Sequence, residues 1–369
     1  MHIPPALKNR QYFLIWLGLL ISFSGSQMQL AALHWHIREL TGEPNPLALG
    51  GIGLARILPI IVFSMIGGAV ADTFNRRKIL FITQSLLTLV ALALAVLTFT
   101  GQITIWWIYL LTATQAAAVA FDLPARQAMI PNLVRREDLP NAFSMSSIAN
   151  NTGSVLGPVL SGLVIATLGQ AYTYLFNAIS FLAVIAALIL IGTVPQETHK
   201  STGIHLDAVK DGIRFILKQP MILSTMIMDF FATFFASANT MMPIVARDIL
   251  KVGEVGYGWL VSAQSMGSVT AGLVISQLPT IRKQGPIFLS AVAIFGLATI
   301  AFGLSSSFLL AFFSLVLIGA ADTVSTIIRN TIRQLNTPDH IRGRMTSINQ
   351  IFFQGGPQLG EVEAGVVAT

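Results

Sequence analysis

The sequence predicts an all-α membrane protein made of two related halves, on three observations. Apolar residues make up 54% of the chain and charged residues 10%, against roughly 25% charged in soluble domains, and mean hydropathy is +0.72. The apolar residues gather in runs of the ~20 residues that a spanning helix needs, without the period-2 alternation of a membrane barrel. Third, the stretch from Asp122 to Gly162 returns in weakened form from Asp322 to Gly365. DLPARQAMIPNLVRREDLPNAFSMSSI leads to GPVLSG, and DTVSTIIRNTIRQLNTPDHIRGRMTSI leads to GPQLG, with Ser147-Ile148 and Ser347-Ile348 200 positions apart. Only helices and closed barrels satisfy the backbone in lipid. A repeat of half-molecules in so apolar a chain implies a carrier with its site between the halves.

Eleven spans follow in order. The first, 12–36, comes after Lys8 and Arg10 as a signal peptide would. It is too long for one, holds Ser22, Ser24, Gln27 and Gln29, and has no small-residue cleavage site, so it reads as a retained helix. Spans at 46–71, 79–100, 103–123, 141–168 and 171–193 complete an N-terminal half, 1–193. Residues 194–220 form a cytoplasmic linker, in which Leu206, Val209, Ile213, Ile216 and Leu217 recur at the spacing of an amphipathic helix on the inner leaflet. The C-terminal half, 221–369, holds spans at 221–246, 256–278, 286–304, 308–328 and 345–368. The repeat places the partner of the sixth span just past Thr369, so the chain is expected to lack a twelfth helix.

The 22 Lys and Arg residues orient these spans. With the N-terminus in the cytoplasm they fall almost wholly in cytoplasmic loops, from Lys8 and Arg10 through Arg76, Arg77 and Lys78 to Arg342 and Arg344. Only Arg38, Arg247 and Lys251 face outside, and Arg56 lies within a span. The expected location is the cell inner (plasma) membrane. The net charge of +6 implies no nucleic acid, because the basic residues sit in separate short loops beside anionic lipid and not along one stripe. With no cysteine there is no disulfide or thiolate site. His34 and His36, two apart on a helix, point to different faces and make a poor chelate. No GxxxxGK[ST] loop serves ATP-driven transport, no nucleophile–base constellation serves a membrane enzyme, and no cofactor is expected.

Ionisable residues within spans are functional candidates because lipid penalises them by several kcal/mol. Asp229, among Met, Phe and Ile, is a proton-carrier candidate. Arg56 suits an acidic partner or an anionic substrate. Glu361 and Glu363, two apart, put only one carboxyl on any one helix face and are further proton candidates. Asp122 and Arg126, four apart, share a face and can pair.

Two motifs narrow the class. The loop Gly68-Ala-Val-Ala-Asp72-Thr-Phe-Asn75-Arg76-Arg77-Lys78 resembles the major facilitator superfamily signature Gly-x-Leu-Ala-Asp-Arg-x-Gly-Arg-Arg. It departs from that pattern at Thr73 and at Asn75, where Asn is expected to take the left-handed turn of the usual Gly. In the fifth span, Gly153-x-x-x-Gly157-Pro158-x-x-x-Gly162 resembles the antiporter motif of the superfamily's exporters, with Ser161 where a second Gly is usual. Over nearly the whole chain the sequence is similar to the enterobactin-exporter-like (macrolide and siderophore efflux) branch. The segments carrying this include LPARQAMIPNLVRREDLPNA, MDFFATFFASANTMMPIVARDIL and RNTIRQLNTPDHIRGRMTSINQIFFQGGPQLGEVEAG.

The resemblance implies twelve helices in two six-helix halves, a monomer, and export of small amphiphilic molecules driven by protons through alternating access. It implies a cavity lined by the first, fourth, seventh and tenth helices, with Gln29, Trp35, Gln115, Phe234, Asn239 and Phe313 as candidates beside Asp229. Gly68, Asp72, Arg76, Arg77, Asp122 and Arg126 become an inner gate. An uptake carrier on the same fold, and a transport-inactive receptor or truncated paralogue, stay open.

Overall fold

The first helix forms where capping and apolar length coincide. Asn9 accepts hydrogen bonds from the Gln11 and Tyr12 amides, starting α1 (Arg10–Leu40). The helix stops before Gly42, whose φ of 69° is left-handed. In the computed structural model, residues 4–192, 219–235, 238–277, 284–336 and 355–369 are described. After α1 come α2 (Pro46–Thr73), α3 (Arg76–Phe99), α4 (Ile105–Met129), α5 (Leu139–Leu168) and α6 (Gln170–Ile191). Then follow α7 (Pro220–Phe235), α8 (Gly253–Ser276), α9 (Gln284–Gly303), α10 (Phe308–Asn336) and α11, residues 355–367. The expected amphipathic helix of the linker, Leu206 to Leu217, lies outside the described residues.

Among the described residues, eight helices are long and apolar enough to cross a membrane. Side chains such as Ile82, Leu89, Trp106, Leu297 and Leu304 stand largely exposed. Water would penalise that surface by roughly 25 cal/mol per Å², whereas hydrocarbon does not. α8 has the length of a span but is diluted by Ser262, Gln264, Ser265, Ser268 and Thr270.

Two details differ from expectation. The span at 221–246 is not one α-helix: α7 ends at Phe235 and the chain continues through a 3₁₀ turn at Ala238–Met241 and three α residues, Met242–Ile244, to a π turn at Val245–Ile249. Pro243 lacks an N–H and disfavours the turn before it, and here it stands at the start of the short α segment Met242–Ile244, whereas α2, α4 and α5 run on through Pro59, Pro124 and Pro158. Asn75 is also not left-handed. Its φ and ψ are −65° and 111°, and its side-chain oxygen accepts from the Lys78 amide at 3.1 Å as the N-cap of α3. A capping side chain thus does at this turn what a glycine's freedom was expected to do.

The chain divides into two units, Met1–Glu43 with Leu54–Ile204, and Pro44–Gly53 with His205–Thr369. In the first, α1 packs between α5 and α6, and α3 between α4 and α6. Tyr12 donates to the Ala142 carbonyl at 2.6 Å and Trp16 Nε1 to the Met145 carbonyl at 2.8 Å, tying α1 to α5. In the second, α10 packs on α8 and α9. The sequence repeat reappears as a packing repeat. A Cβ on Gly67 of α2 would run into the backbone of α4 at Ala120 and Phe121. Gly267 of α8, 200 positions on, meets the backbone of α10 at Val316 and Ala320 in the same way. Each second helix crosses its fourth at a glycine.

Candidate functional site

Helix α4 carries the densest polar site in the first unit. Asp122, 1% exposed, accepts from Thr83 Oγ1 at 2.9 Å and Gln84 Nε2 at 2.7 Å, both on α3. It also pairs with Arg126 one turn on. The Arg126 guanidinium lies 4.9 Å from the centroid of the Phe23 ring on α1. The expected pair is therefore present, inside a cage that joins α3, α4 and α1. α10 repeats the theme: Arg329 lies 3.6 Å from Asp322 and donates to Thr326 Oγ1 at 2.6 Å.

The basic half of the signature loop binds backbone. Arg76 donates from Nη1 to the Ala128 carbonyl at 2.9 Å and from Nε to the Ala71 carbonyl at 3.3 Å; Arg77 Nε donates to the Leu188 carbonyl at 2.9 Å. These carbonyls lie in the last turns of α4, α2 and α6, where the helix dipole and orphan acceptors favour a cation. Gly68 is half-buried on α2; the side chain of Asp72 lies outside the described residues.

The antiporter-like motif packs α5 on α1. A Cβ on Gly153 would meet the Phe23 carbonyl carbon and the Ser24 nitrogen at 2.9 Å; one on Gly157 would meet the Ser24 oxygen at 2.8 Å and the Met28 nitrogen at 2.9 Å. Pro158 and Gly162 are buried beside them. Because the obstacle is backbone, no rotamer change relieves it. Gly157→Val is expected to destabilise the protein by about 1–3 kcal/mol, read as a lower Tm of the detergent-solubilised protein.

The cavity candidates divide between the units. Gln29 and Gln115 are hydrogen-bonded to each other at 2.7 Å. Asn177 of α6, which sequence reasoning missed, donates to Gln29 at 2.7 Å and is in turn bonded by Ser180 at 2.9 Å. Trp35 is buried and Arg56 half-buried. His34, read in the sequence only as half of a poor chelate, is buried with Nδ1 2.9 Å from the Leu30 carbonyl. In the second unit Phe234 stacks on Phe230 with centroids 5.8 Å apart, and Phe313 is largely exposed. Glu361 is buried and Glu363 half-buried on α11, and the Glu361 Oε2 atom lies 3.3 Å from where a Cβ of Gly53 would stand. Asp229 lies on α7 and Asn239 in the 3₁₀ turn after it, their side chains outside the described residues. One signal could have found Asn177 and Ser180: two polar residues three apart, hence on one face, in the otherwise apolar run of α6.

Two units of membrane-length helices related by an internal repeat, with polar clusters inside the helical layers, define a polytopic transporter of the major facilitator type. The transmembrane secretion effector family matches residues 4–369, and the chain belongs to that family of transporters, which is not a family of enzymes. It is 25% identical to the multidrug efflux pump Tap of Mycolicibacterium fortuitum over 98% of this chain and 90% of that protein. It is 26% identical to the enterobactin exporter EntS of Shigella boydii over 77% of this chain and 68% of that protein. Its fold is similar to the crystal structure of a bacterial homolog of the human lysosomal transporter Spinster. That match has a TM-score of 0.76 and 15% identity, and covers 99% of this chain and 83% of the other. The protein is thus a membrane transporter of small molecules.

Proposed function

We propose that this transporter is a proton-coupled exporter of small amphiphilic molecules, of siderophore or drug and macrolide class, working by alternating access in the cell inner membrane with its N-terminus in the cytoplasm. The observation that carries the reading is the likeness to Tap and EntS, an efflux pump and an exporter, along most of the chain. Close glycine packing of the Gly153–Gly157 segment on α1 supports it, since this is the element that resembles the exporters' motif. Asp229, with Glu361 and Glu363 behind it, carries the proton. Gln29, Trp35, Arg56, Gln115, Phe234, Asn239 and Phe313 line the substrate path. The Gly68–Arg77 loop with Asp122 and Arg126 forms the inner gate, and the protein works as a monomer among lipids.

The test uses everted membrane vesicles, whose lumen respiration acidifies. Vesicles carrying the protein are expected to accumulate rhodamine 6G or a siderophore from a chemical panel, and nigericin, which collapses the pH difference, is expected to abolish this. Accumulation that survives nigericin would contradict proton coupling. Absence of accumulation across the panel, with protein confirmed in the membrane, would contradict the exporter reading.

A further inference from the structure

The chain of side-chain hydrogen bonds through the first unit has a direction. Asn177 Nδ2 donates to Gln29 Oε1 at 2.7 Å and Gln29 Nε2 donates to Gln115 Oε1 at 2.7 Å, while the single Ser180 hydroxyl hydrogen is shared between Asn177 Oδ1 at 2.9 Å and the Asn177 backbone carbonyl at 2.7 Å. Three of the four residues are buried, Asn177 at 0%, Gln29 at 1% and Ser180 at 4% exposure, while Gln115 is half-exposed. The chain runs from α6 through α1 to α4, and Gly25 makes room for it: a Cβ there would overlap Ser180 Oγ and come within 2.6 Å of Asn177 Oδ1.

An amide has one oxygen and one nitrogen, so fixing one end fixes the other. With its oxygen taken by Gln29, the NH₂ group is the end of the part-exposed Gln115 side chain that this chain of bonds leaves unused. Each link in a low-dielectric interior polarises the next, and an amide turned the wrong way would face a like dipole.

We infer that Asn177 is a positioning residue for substrate recognition: through Gln29 it turns the Gln115 amide nitrogen toward the transported molecule, so that this wall of the path selects hydrogen-bond acceptors such as carbonyl, ether or carboxylate oxygens. This rests on the reading above that Gln29 and Gln115 line the substrate path. A polar link that served only to join helices would affect every substrate alike.

The experiment measures binding to the purified protein in lipid nanodiscs by fluorescence anisotropy. The two dyes are rhodamine 6G, which carries an ester carbonyl, and ethidium, which carries no oxygen. Gln115→Met and Asn177→Leu are each expected to weaken rhodamine 6G by about tenfold, the effect of one lost hydrogen bond, with ethidium changed by less than about twofold. The double variant is expected to lose no more than either single one, because both remove the same contact. Equal weakening of both dyes, unchanged rhodamine 6G binding in a folded Asn177→Leu protein, or losses that multiply in the double variant would overturn the inference. If Asn177→Leu does not fold, Ser180→Ala replaces it at the far end of the chain, and the dye selectivity of Gln115→Met still decides. Wild-type protein that binds neither dye would instead remove the substrate-path reading, and the inference with it.

Discussion

Asp229→Asn is expected to bring proton-driven accumulation of substrate in everted vesicles down to the level of vesicles without the protein, while exchange of labelled for unlabelled substrate across the same membrane continues. Asp229 sits within α7, amid Met226, Met228, Phe230 and Phe231. An ionisable residue in such an apolar run is costly and is a functional candidate for that reason. Asn has the shape of the protonated acid but cannot give up a proton. It therefore locks one state of the coupling cycle without blocking the movement of the empty or loaded carrier. Fluorescence of the accumulated dye reads the first effect, and radiolabel counterflow reads the second. Uphill accumulation that survives the substitution would move the proton to Glu361 or Glu363 on α11.

Asp122→Leu is expected to destabilise the protein by about 3–5 kcal/mol, because it leaves Arg126 in a buried site without its counter-charge. Arg126 pairs with Asp122 and lies over Phe23, and Thr83 and Gln84 give their hydrogens to the same carboxylate. Asp122→Leu combined with Arg126→Met is expected to recover most of that loss, since replacing a whole buried pair by apolar side chains is often close to neutral. Thermal unfolding of the detergent-solubilised protein reads both variants. That result would make the pair a structural link between α3 and α4 in the first unit and, on the proposed reading, the rigid part of the inner gate. A pair that acted only at gate closure would show a normal Tm in Asp122→Leu and altered transport alone.

Apolar runs such as those of α3 and α6 are legible in the sequence because hydropathy and length together leave one structure that lipid tolerates. The repeat was legible too, and it extends further than the matching letters: Gly67 and Gly267 occupy equivalent crossings. What hydropathy does not resolve is the behaviour of single residues. Pro243 sits in a run apolar enough to read as one span, and the chain there changes from 3₁₀ to α geometry, while other prolines such as Pro158 stay inside a continuous helix. Asn75 matched a glycine position in a motif, yet it serves by its side chain. Arg76 and Arg77 read as part of an inner gate, and the structure adds that they bind carbonyls at helix ends, acceptors that a sequence does not display. Asn177 and Ser180 were passed over for the converse reason, although their spacing puts them on one face. Two polar residues hardly lower the hydropathy of α6, and only packing shows that they face Gln29.

Purified protein reconstituted into liposomes preloaded with rhodamine 6G, with a pH-sensitive dye trapped inside and no other energy source, tests proton-coupled export most directly. As substrate leaves down its gradient, protons are expected to enter against none of their own, and the lumen should acidify beyond the leak seen in protein-free liposomes. Substrate leaving at the same rate with no change in lumenal pH would show a carrier without proton coupling and contradict the account.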